Sequence, residues 1–158
     1  MRLLCLALVG LALVPVAGAA PAEWDSRAAL PLARTEVAAA TVGKEIVVLG
    51  GFTLDGVASN RADAYDPARD TWRGLPDLPV GVHHSMAVGA RGKLYALGGY
   101  TRGGVVLRSL HVLEGRTWRR LARLPFPRAA AGAAFANEKI VVAGGVAQAG
   151  RLAKNALA

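Results

Sequence analysis

Residues 46–51 read Ile-Val-Val-Leu-Gly-Gly, residues 94–99 read Leu-Tyr-Ala-Leu-Gly-Gly, and residues 140–145 read Ile-Val-Val-Ala-Gly-Gly. Each glycine pair follows a tryptophan at one unchanging interval, from Trp24 to Gly50, from Trp72 to Gly98 and from Trp118 to Gly144. A further landmark lies at a fixed distance beyond the first glycine, Tyr65 in one copy and Leu113 in the next. The pairs thus begin at Gly50, Gly98 and Gly144, and an internal period of this length marks a repeat architecture.

The apolar run before each glycine pair is four residues long, too short for a helix, and is bounded by turn residues. It reads as a strand that is apolar on both faces, as when sheets pack face to face. Gly43-Lys44, Arg91-Gly92 and Asn137-Glu138 precede these runs and suit two-residue hairpins. The small-residue segments 35–42, 83–90 and 129–136 supply the strand before each hairpin. A third strand is expected to end at Tyr65-Asp66-Pro67 or Leu113-Glu114-Gly115, and a fourth to begin at Thr71-Trp72 or Thr117-Trp118. The second copy is slightly shorter, and the whole deficit lies in the turn between those strands. Four strands per unit at this period describe a β-propeller blade. No helix is expected beyond the N-terminal segment, given the glycines, the Leu-Pro dipeptides and the β-branched runs.

These residues resemble the kelch repeat, whose blade carries a glycine pair, then a tyrosine, then a tryptophan at matched offsets. The positions here are Gly50, Gly51, Tyr65 and Trp72; Gly98, Gly99 and Trp118, with Leu113 in place of tyrosine; and Gly144 and Gly145. The resemblance covers the chain from about Trp24 onward and implies an all-β fold, a kelch-type β-propeller. Glycine leaves room for close backbone approach, and the aromatic rings fill space between blades, so these glycines and aromatics are read as structural. The expected organisation is a lone strand near residue 24, a blade over 35–74, a blade over 83–121, and an incomplete blade over 129–158. Kelch propellers close with about six blades, so the chain is expected to be a fragment of a longer propeller. A homodimer that closes a six-bladed ring is the alternative.

Residues 1–19 have a basic start, an apolar run from Leu3 to Val16 and small residues after it, the pattern of a cleaved signal peptide. Ala17-Gly18-Ala19 and Ala20-Pro21-Ala22 both fit a cleavage site. The expected localisation is secreted or periplasmic, with no stable membrane insertion after cleavage. The single cysteine, Cys5, leaves with that segment, which excludes disulfides, thiolate metal sites and a cysteine nucleophile. The formal net charge of +8 comes from scattered arginines, densest at Arg116, Arg119, Arg120 and Arg123, and is read as a solvated outer strand. No nucleic-acid partner is expected.

In kelch propellers, rim contacts come from residues just after the glycine pair and just before the first strand. Carried over, these positions are Phe52, Tyr100 and Val146 after the pairs, and Arg34, His83 and Arg128 before the strands. Arginine beside an aromatic ring suits a carboxylate or sugar. His83-His84-Ser85 raises a metal or nucleophile reading, but adjacent strand residues face opposite ways, so neither a metal nor another cofactor is expected. The function expected is non-enzymatic recognition of a protein or glycan through the propeller face. A sialic-acid-mutarotase-like enzyme acting on carbohydrate is the alternative, favoured only by Arg34 and Arg128 at a channel mouth.

Overall fold

A computed structural model describes residues 24–158; the segment expected to be a signal peptide lies outside the described residues. The strands are β1 (Ala38–Val42), β2 (Glu45–Leu49), β3 (Ala62–Asp66) and β4 (Thr71–Gly74); β5 (Met86–Ala90), β6 (Lys93–Leu97), β7 (Leu110–Glu114) and β8 (Thr117–Arg120); then β9 (Gly132–Ala136), β10 (Lys139–Ala143) and β11 (Ala156–Leu157). They form antiparallel sheets in the orders β1-β2-β3-β4, β5-β6-β7-β8 and β9-β10-β11. Each sheet is a blade, and β1, β5 and β9 lie side by side as the innermost strands.

All three expected hairpins form. Arg91-Gly92 and Asn137-Glu138 have positive φ at both turn residues, the type I′ pattern whose twist matches the strands. Register pairs Tyr65 with Trp72 and Leu113 with Trp118, so the landmarks are cross-strand partners on one face. The Tyr65 and Trp72 rings lie 5.0 Å apart. The tryptophans also act through their indole N–H groups. Trp72 donates to the Ala28 carbonyl at 2.8 Å, and Trp118 to that of Pro76 at 2.8 Å. Each therefore ties the linker leading into its blade to that blade's outer strand.

Two departures from the sequence reading share one cause. Trp24 lies outside any strand and is 99% exposed, because a fourth strand needs the third strand of its own sheet beside it. Burial on both faces holds only for the middle sheet. One apolar cluster joins Leu49, Ala62 and Ala64 to Ala87, Leu94 and Ala96, and a second joins Met86, Val88 and Leu97 to Val142. On the first sheet Ile46 stays 40% exposed, since among the described residues no sheet covers that side.

The glycine pairs clasp blade to blade. The N–H of Gly51 donates to the Val82 carbonyl at 2.8 Å, and that of Gly99 to the Arg128 carbonyl at 2.8 Å. A Cβ on Gly50 would stand 2.7 Å from the Val82 oxygen, and one on Gly98 would overlap that of Arg128. The glycines adopt positive φ, 65° at Gly50 and 53° at Gly98. Gly144 has the same conformation but meets no neighbouring atom within 4 Å.

Candidate functional site at the rim of the propeller

The segments before the inner strands do not run straight into them. Glu36, His84 and Ala130, each at the same offset before its glycine pair, have φ of 53°, 49° and 50°. This left-handed residue separates a bridge residue (Thr35, His83 or Ala129) from the strand proper. Each bridge residue exchanges backbone hydrogen bonds with the residue after its blade's glycine pair. His83 N donates to Tyr100 O at 3.0 Å, and Tyr100 N donates back at 2.9 Å. Thr35 pairs with Phe52, and Ala129 with Val146, in the same way.

The kinks are joined across blades. His84 N donates to Glu36 O at 3.1 Å, and Ala130 N donates to His84 O at 2.8 Å. This chain of bonds runs beside the innermost strands and brings residues of two blades together. The His83 ring stacks on Phe52 with centroids 3.9 Å apart, and on Tyr100 at 5.3 Å. His84 meets the edges of His83 and Tyr100. The Nδ1 atoms of His83 and His84 are 2.8 Å apart, so in the absence of an ion one ring presents an N–H and the other a lone pair. Glu36 Oε2 lies 3.0 Å from His84 Nδ1 and 3.5 Å from His83 Nδ1. Burial, with the nearby His84, pushes the His83 imidazole below its ordinary range against the opposing pull of Glu36.

Three of the six sequence-derived rim positions, Phe52, His83 and Tyr100, therefore meet in one cluster, while Val146 bridges Ala129 and Leu152 on the third blade. Arg34 and Arg128 do not join the cluster. The Arg34 side chain is fully buried: Nη1 donates to Arg61 O at 2.8 Å and Nη2 to the buried Asp63 carboxylate at 2.7 Å. Arg128, 1% exposed, donates to Gly144 O at 2.8 Å and Asn155 Oδ1 at 3.1 Å. Counting back from the glycine pairs gives the reason. Arg34 and Arg128 share the offset of Val82, an inward-facing position, whereas His83 shares that of Thr35 and Ala129. These arginines brace the ends of their own blades.

The opposite-face argument against a shared ion also fails. His83 and His84 precede β5, and the left-handed His84 backbone breaks strand alternation, so both rings turn to the same place. Sequence reasoning missed His84 and Glu36 as site residues. Their common offset before the glycine pair was the available signal, because equal offsets in adjacent blades become neighbours. Ser85 Oγ is buried and bonds to neither histidine, so the nucleophile reading gains nothing. His111 lies apart on β7, opposite Ala96, its imidazole pushed down by burial and by Arg120.

Repeated four-stranded blades, inter-blade glycine clasps and a loop-built rim agree with the comparisons. Residues 33–79 match the family described as Kelch motif. This is a kelch-repeat chain. Beta-scruin of Limulus polyphemus is 30% identical to it over 131 residues, which cover 78% of this chain and 14% of the scruin. The Kelch-like protein terF of Aspergillus terreus is 30% identical over 136 residues, or 77% of this chain and 30% of that protein. The solved structure of YjhT superposes with a TM-score of 0.72 at 16% identity, covering 81% of this kelch chain and 43% of that one. The kelch chain thus spans less than a third of those two relatives and under half of YjhT.

Proposed function

We propose that this kelch segment is a non-catalytic recognition module of an exported protein, and that it takes a protein partner at the rim formed by Phe52, His83 and Tyr100 with Glu36 and His84. The observation that carries the reading is the Phe52–His83–Tyr100 stack, partly exposed beside an accessible carboxylate. Stacked rings give a rigid anchor at low entropic cost, and Glu36 and His84 add directional polar contacts. Kelch repeats generally serve in protein interaction. A glycan or a carboxylated sugar was favoured by Arg34 and Arg128, and both guanidinium groups are engaged inside their blades. Without them the rim's chemistry fits a polypeptide better.

Capture from an extracytoplasmic fraction, quantified against rim variants, tests the partner. A specific protein should bind the unaltered chain and an outer-strand control, Arg73→Gln, and fall by about tenfold with Phe52→Ala or Tyr100→Ala. Capture indifferent to the rim substitutions would refute the reading. Export is tested by fusing residues 1–22 to a phosphatase that folds only outside the cytoplasm. Activity is expected, with cleavage after Ala19 or after Ala22.

A further inference from the structure

We infer that Glu36, His83 and His84 form a binding site for a divalent transition-metal ion at the rim, built from two adjacent blades. The three donor atoms lie within 4.8 Å of one another. The separations, 2.8 Å between the two Nδ1 atoms and 3.0 and 3.5 Å to Glu36 Oε2, are those of ligands on one side of an ion. An ion at the usual bond length of about 2.1 Å from all three would stand about 1 Å off their plane. Two imidazoles and a carboxylate in this facial arrangement suit zinc, iron(II), nickel or copper rather than calcium or magnesium, which demand oxygen donors.

Independent features hold the ligands before any ion arrives. His83 is clamped between Phe52 and Tyr100, so its ring cannot turn away. The left-handed backbones of Glu36 and His84 are locked by the His84 N to Glu36 O bond. Preorganisation of this kind is what orienting contacts around a metal centre provide. The site does not extend to the third blade, where Ala130 takes the equivalent place. Glu36 and His84 are each over a third exposed, so the ion exchanges freely with solvent and keeps coordination positions for water or for a donor group from a bound molecule.

The test uses the chain without a polyhistidine tag, titrated with Co²⁺ and Zn²⁺ by calorimetry and by Co²⁺ visible absorption. One ion per chain is expected, with d–d bands showing mixed nitrogen and oxygen ligation. His84→Asn keeps a residue that tolerates positive φ, and Glu36→Gln keeps the shape of the side chain. Each should weaken affinity by about a hundredfold, while His111→Asn leaves it unchanged. Circular dichroism on each variant confirms that the sheets persist. No uptake by the unaltered chain, or affinity equal in the unaltered chain and folded His84→Asn and Glu36→Gln variants, would overturn the site. Because the ion itself is read, the result stands apart from whether a protein partner is found.

Discussion

Gly98 and Gly144 hold the same place in successive blades but have different neighbours. A Cβ on Gly98 would overlap the Arg128 carbonyl, and one on Gly144 would meet nothing. Gly98→Ala is therefore expected to destabilise by about 3 kcal/mol, through crowding and strain together. Gly144→Ala should cost about 1 kcal/mol, the left-handed backbone alone. Urea unfolding of the two variants checks this, and equal losses would show that the clasp is not formed. The buried Arg34–Asp63 pair makes a second expectation. Arg34→Met leaves Asp63, itself fully buried, with only the half-exposed Arg61 at 3.1 Å, and should cost about 3 kcal/mol in thermal unfolding. At this scale the landmarks were legible because every repeat writes them again. The arginines were misplaced by one position, and in a chain that alternates between interior and rim, one position reverses the role.

The strands and their hairpins follow from short, continuous apolar runs bounded by turn residues, a local signal that needs no tertiary information. The kinks at Glu36, His84 and Ala130 were not legible, because glutamate and alanine do not advertise a left-handed backbone, and the tolerance of the one histidine for it does not mark a position shared by all three repeats. That geometry is imposed by the inter-blade bonds from His84 to Glu36 and from Ala130 to His84. The rim cluster is thus a product of blade stacking. The outer part of the sheet behaves as the charge pattern implies: Glu114, at the end of β7, accepts from Arg119 of β8 at 2.7 Å and from Lys93 of β6 at 2.9 Å. Those bonds, Arg119 foremost, hold the Glu114 carboxyl at about 2, against an ordinary 4.5. A lowered folded-state value means that the contribution is present above pH 4.5 and is lost as pH falls toward 2. Denaturant midpoints should fall over that window in the unaltered chain and fall less in Glu114→Gln. The difference should be small and shrink in high salt, as for exposed pairs. An unchanged acid slope in the variant would contradict it.

At the scale of the whole molecule, three blades stack through two interfaces, and the third sheet presents a face that meets no further blade among the described residues. The Gly144 carbonyl still receives Arg128 Nη1 within its own blade. Everything proposed for the rim depends on blade stacking, since Glu36 and the histidines belong to different blades. Stacking in turn depends on the glycine clasps. The most direct measurement is residue-resolved amide hydrogen exchange at the second glycine of each pair. The Gly51 and Gly99 amides, which donate to Val82 and Arg128 across the interfaces, should be protected like those of the central strands. The Gly145 amide, with no such carbonyl facing it among the described residues, should exchange far faster in the monomer. Rapid exchange at Gly51 and Gly99 would contradict the clasp, and with it the assembly of the rim.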